Sequence, residues 1–79
     1  MEIKVLGAGC YNCLALERTV FDVLGELDIV ADVEVVRDVK KIGEYGLPGM
    51  PALLVNGKTK VYGRVPRKEE LKAWIREEM

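Results

Sequence analysis

Residues 2–27 read EIKVLGAGCYNCLALERTVFDVLGEL, and the spacing of apolar side chains changes along them from two to three or four. Glu2 to Leu6 alternates polar and apolar and stops at Gly7 and Gly9, as a short strand running into a turn does. Leu16, Val20, Val23, Leu24 and Leu27 then fall on one stripe of a helix expected to start at about Cys10 and to fray after Leu27. A strand feeding directly into a helix restricts the chain to folds built on a βα unit.

The remaining elements follow from local signals. Val33 to Val36 (VEVV) is short and β-branched and predicts a second strand. Asp38 can cap a brief helix from Val39 to about Tyr45, ended by Gly46. Ala52–Val55 and Lys58–Tyr62 form two strands joined by Asn56-Gly57, a strong hairpin signal. Pro66 suits the first turn of a last helix running to about Met79, with Glu69 and Glu70 near its positive end and Leu71, Trp74 and Ile75 on its apolar face. Trp74, Tyr45 and Tyr62 read as core anchors, and the charges of the last helix as a solvated face. The order is βαβαββα in an α/β fold, one domain over residues 1–79. It predicts a four-stranded mixed sheet with helices on both faces.

Composition excludes several classes of function. The formal net charge is −1, from 12 basic and 13 acidic residues mixed along the chain, which leaves no electrostatic footprint for nucleic acid or an anionic membrane. No apolar run approaches the roughly 20 residues of a membrane-spanning helix, and no secretory signal opens the sequence, so a cytoplasmic protein is expected. In a reducing compartment two cysteines closing a two-residue loop make a poor structural staple. Cys10 and Cys13 are the only cysteines and there is no histidine, so a tetrahedral zinc site lacks its ligands.

The cysteine pair can do redox chemistry from its place in the chain. Cys10 opens the first helix, where unpaired backbone N–H groups favour a thiolate; thiols at such positions and in C-x-x-C pairs have pKa values lowered to ~3.5–7.5. Cys13 lies about one turn further in, more covered but close enough for a reversible disulfide. Cys10 is therefore expected to attack a substrate disulfide and Cys13 to resolve the mixed disulfide. Two alternatives stay open: a metal-handling module holding Cu(I) between the thiolates, and an interaction domain whose cysteines sense oxidation.

With GAGCYNC at the helix start, Met50-Pro51 leading into ALLVNG, and GRVPRKEEL before the last helix, the whole chain resembles the thioredoxin superfamily. In size it is similar to glutaredoxins and to small glutaredoxin-sized thioredoxins. The resemblance implies a dithiol–disulfide oxidoreductase that needs no cofactor and no metal. It implies a cis-proline at Pro51 beside the disulfide, with the Met50 backbone pairing to substrate, and contributions to substrate binding from Tyr11, Asn12 and Gly63. It further implies protein disulfides as substrates, a flavin-dependent thioredoxin reductase as electron source, and action as a monomer. Three departures stand out. Tyr11-Asn12 replace the Gly-Pro that longer thioredoxins carry between the cysteines. Lys4 stands where they place a buried carboxylate. Ala8 and Gly9 stand where glutaredoxins carry a basic residue for glutathione, which argues against glutathione as partner unless Lys60 or Arg64 contributes.

Overall fold

The computed structural model describes residues 1–79. Seven elements follow one another as β1 (Glu2–Leu6), α1 (Tyr11–Leu27), β2 (Asp32–Val36), α2 (Val39–Glu44), β3 (Ala52–Val55), β4 (Lys58–Tyr62) and α3 (Lys68–Glu77). The strands form one sheet in the order β2-β1-β3-β4, with β1 and β2 parallel and the other two pairings antiparallel. The expected mixed sheet is thus observed, and its parallel pair is joined through α1.

Alternation along the strands divides the core. Ile3 and Val5 point to one face, where they meet Leu16, Val20, Val23 and Leu24 of α1 and Leu71 and Ile75 of α3. Leu6 points to the other face and packs with Val36, Ile42, Ala52 and Leu54 under α2. β3 is buried along its whole length, as an interior strand covered on both faces should be. Helices therefore lie on both faces, but α2 has only six residues and covers less of its face. No helix is long and apolar enough to cross a membrane.

Turn chemistry fixes the register. Asn56 (φ 50°) and Gly57 (φ 80°) both take positive φ, the requirement of a two-residue type I′ hairpin. Asn56 also ties this hairpin to β1, its Oδ1 accepting from Glu2 N at 2.9 Å and its N–H donating to Glu2 O at 2.7 Å.

Three expectations are corrected. Pro66 is not in the first turn of α3; Arg67 is the N-cap, in extended conformation, and the helix begins at Lys68. Proline is equally at home in the extended approach to a helix, and here Glu70 folds back to accept from Arg67 N at 3.1 Å while holding the Arg64 guanidinium at 2.9 and 3.2 Å. Tyr45 and Tyr62 are not core anchors. Both are exposed, Tyr45 at the end of α2 and Tyr62 at the end of β4, whereas Trp74 does pack against the main cluster. The charges of α3 and its C-cap do more than face water: Lys68 and Lys72 clasp Glu26 of α1 at 2.7 and 2.8 Å, and Lys58 and Lys60 of β4 reach Glu78, just past the end of α3, at 3.3 and 3.1 Å.

These ion pairs give an acid-stability prediction. The Lys68 hydrogen bond, then that of Lys72, holds the Glu26 carboxyl at about 2 instead of 4.5. The Arg64 side chain, then Arg67 N–H, does the same for Glu70. Both carboxyls bind protons more weakly folded than unfolded. Their stabilisation is complete above about 4.5, the unfolded value, and is lost as pH falls through about 2. At such exposed positions each contribution is small and salt-sensitive. At low ionic strength Tm should fall across this window, and Glu26→Gln, or added salt, should flatten the fall; an unchanged slope in the variant would contradict it.

Candidate active site

Everything at the site gathers beyond the C-terminal end of β1. Cys10 is the N-cap of α1 (φ −68°, ψ 167°), its carbonyl taking the first helical bond from Leu14 N at 3.0 Å. Its Sγ accepts from the backbone N–H of Cys13 at 3.1 Å, so a sulfur does here what a serine or aspartate oxygen does at other helix starts. A hydrogen bond donated to sulfur, added to the positive end of a 17-residue helix, stabilises negative charge on Cys10.

Cys10 and Cys13 form a disulfide with Cα atoms 4.9 Å apart. The two halves are unequal: Cys10 is exposed, and Cys13 is fully buried. Tyr11 and Asn12 between them are exposed, Tyr11 at 87%.

Sheet register brings the proline to the same place. Ala52, the first residue of β3, lies opposite Leu6 on one side and Tyr62 on the other. Pro51 therefore stands beyond the end of β1, level with Gly7, and Gly63 stands beyond β4. The Met50-Pro51 bond is cis, as the resemblance implied, with Pro51 buried and Met50 exposed. Gly63 N–H donates to Pro51 O at 2.8 Å, and Gly63 takes φ 77°. A Cβ on Gly49 would lie 3.6 Å from Gly63 Cα, so the two loops flank each other. All seven residues singled out in the sequence, Cys10, Tyr11, Asn12, Cys13, Met50, Pro51 and Gly63, thus gather at one end of the sheet.

Sequence pattern does not disclose three further residues at the site. Gly7 is the first: a Cβ there would stand 2.6 Å from Cys13 Cβ and 2.7 Å from Cys13 Sγ. The turn after β1 runs directly over the buried cysteine, held by Gly7 N–H donating to Val36 O at 2.9 Å. The other two are Glu17 and Arg37, joined at 2.8 Å, with a second nitrogen of the Arg37 guanidinium 3.5 Å from where a Gly9 Cβ would be. Lys4, in contrast, does not address the cysteines. It alternates with the inward Ile3 and Val5 and so faces the α2 side of the sheet, where its Nζ meets Tyr45 Oη at 3.4 Å. That hydrogen bond, with the Tyr45 charge next, raises the Lys4 pKa.

The basic residues that glutathione could have used are engaged elsewhere, Arg64 with Glu70 and Lys60 with Glu77 and Glu78. No three His, Cys, Asp or Glu side chains cluster as a metal cage would require. What the site presents is one accessible sulfur of a reversible pair beside an extended backbone ledge, the equipment for thiol–disulfide exchange with another protein.

Comparison with known proteins agrees along nearly the whole chain. Residues 1–76 match the family model described as Thioredoxin domain. A protein named Thioredoxin from Methanothermobacter thermautotrophicus (strain Delta H) is 42% identical over 72 residues, which span 91% of this chain and 94% of that one. The matched stretch runs from β1 into α3 and takes in every residue that positions the disulfide, so the chain belongs to the thioredoxin family and is a dithiol–disulfide oxidoreductase acting on protein disulfides.

Proposed function

We propose that Cys10 is the attacking thiol and Cys13 the resolving one, and the observation carrying this division is their unequal burial across one disulfide. An incoming disulfide can reach Cys10 Sγ and cannot reach Cys13. Once Cys10 is joined to substrate, Cys13 is the sulfur one helical turn away that can displace it. Met50, exposed beside the buried Pro51, offers its backbone to an extended substrate segment, with Tyr11, Asn12 and Gly63 bordering the ledge.

The chain's role in this reading is a reductase or dedicated electron carrier. It works in the cytoplasm as a monomer, re-reduced by a flavin-dependent thioredoxin reductase. A cysteine pair spent on a switch instead of a staple suits a reducing compartment. Glutathione is disfavoured as the partner because Arg64 and Lys60 are paired within the protein.

Alkylation of the reduced protein with iodoacetamide across pH tests the division. Cys10 should react first, with a midpoint below the ~8.5 of free cysteine, in the ~3.5–7.5 range of helix-terminal thiolates. Cys13 should lag well behind. A Cys10 midpoint at or above that of free cysteine, or prior labelling of Cys13, would contradict the assignment.

A further inference from the structure

Resolution requires Cys13 to lose a proton, yet Cys13 is fully buried and Lys4 is turned to the opposite face of the sheet. In the disulfide-bonded structure Cys13 Sγ has no surface open to bulk water. A group inside the fold is best placed to take the proton.

Glu17 stands one helical turn beyond Cys13 on the same face of α1, a spacing of four that brings side chains within about 5–6 Å at Cβ. Helical side chains lean toward the N-terminus, so the long Glu17 side chain reaches back over the turn that carries Cys13. The side chain is only 13% exposed. One carboxylate oxygen, Oε1, is held by Arg37 at 2.8 Å. The other, Oε2, is sealed from solvent and makes no hydrogen bond, the one buried side-chain oxygen or nitrogen of the molecule in that condition. Arg37 in turn lies over Gly9, next to Cys10, and so fixes the carboxylate under the active-site turn. A buried acceptor is seldom left unpaired without a reason.

We propose that Glu17 is the proton acceptor for Cys13 during resolution. The Cys13 S–H bond breaks and its proton passes to Glu17 Oε2, directly or across one water. The sulfur electron pair forms the Cys13–Cys10 bond as the Cys10–substrate S–S bond breaks. The substrate sulfur departs as a thiolate and takes up a proton from Glu17 or solvent. The dithiol is oxidised by two electrons and the substrate disulfide is reduced by two. The charged and titratable neighbours of this route are Arg37, packed from the end of β2, and Cys10 on α1 itself. Lys68 and Lys72 of α3 are occupied further along α1 by Glu26.

The assignment rests on Cys13 being the resolving thiol, and the test separates the two claims. Reduced wild type and Glu17→Gln are mixed with a fluorogenic peptide disulfide in a single turnover, quenched with acid, and the mixed and internal disulfides are counted by intact mass. Glutamine preserves size and an oxygen for Arg37, so the mixed disulfide should form at the wild-type rate. Its resolution should slow by about 10²-fold near neutrality, the low end of what a placed general base contributes. The deficit should shrink only as pH rises well beyond the ~8.5 of free cysteine, because burial raises the pKa at which the Cys13 thiol ionises unaided. Resolution at the wild-type rate across pH, or equal slowing of both steps, overturns the role of Glu17. A wild type that forms no mixed disulfide overturns the reading of the cysteines as well. Should the variant not fold, carbon-13 NMR of the reduced wild type decides: the Glu17 carboxyl resonance should show an inflection at the Cys13 titration midpoint, and its absence overturns the proposal.

Discussion

Cys10→Ser should bring insulin-disulfide reduction down to the rate that dithiothreitol gives alone. Serine keeps the N-cap hydrogen bond that Cys10 Sγ now accepts from Cys13 N–H, so α1 should survive and the loss should be chemical. Its hydroxyl is no nucleophile without an adjacent base, and no histidine exists in the chain to supply one. Cys13 is too deeply buried to take over the attack. Retained catalysis in this variant would remove Cys10 from the attack, and absent catalysis in the wild type combined with tight Cu(I) binding at one ion per chain would replace redox chemistry with metal handling.

The second large effect belongs to a residue with no chemistry of its own. Gly7→Ala places a methyl group 2.6 Å from Cys13 Cβ and 2.7 Å from its Sγ, well inside contact distance. The obstacle on the α1 side is a fully buried side chain next to the helix backbone, not the free end of a flexible one. Either the turn lifts, breaking the 2.9 Å bond from Gly7 N–H to Val36 O, or α1 shifts outward and carries the disulfide with it. Overpacking of this kind costs about 1–3 kcal/mol, which for a domain this small lowers Tm by roughly 4–8 °C per kcal/mol. Activity should fall with it, since the two sulfurs must keep their spacing to exchange. Thermal unfolding of the oxidised variant beside an insulin-reduction rate checks both, and a variant with wild-type Tm and rate would show that the turn is looser than its contacts imply.

Legibility from sequence follows how local each signal is. The Asn56-Gly57 turn and the Cys10 cap depend on residues a few positions apart, and both can be read from the residues alone. Pro51 is legible only through resemblance, because its meaning lies in the register that sets Ala52 against Leu6. Gly7 looks like ordinary turn punctuation; its closeness to Cys13 depends on how α1 docks on the sheet, which periodicity does not specify. Glu17 falls among the charges of the helix, and its partner Arg37 is 20 residues away at the end of β2, brought near by the parallel pairing of β1 and β2. Lys4 is the instructive case. Alternation along EIKVL already sets it opposite Ile3 and Val5, so its distance from the cysteines is contained in the strand pattern. The start of α3 is ambiguous in sequence because proline precedes a helix as comfortably as it opens one, and only the fold-back of Glu70 decides between them.

The division of labour between the sulfurs is the centre of the account, and trapping tests it most directly. Reduced Cys13→Ser protein, incubated with a peptide disulfide and mapped by mass spectrometry after proteolysis, should accumulate a stable mixed disulfide on Cys10 because nothing remains to displace the substrate. Cys10→Ser, treated alike, should stay free of adduct at Cys13. An adduct on Cys13 in that variant, or none on Cys10 in the first, would contradict the account.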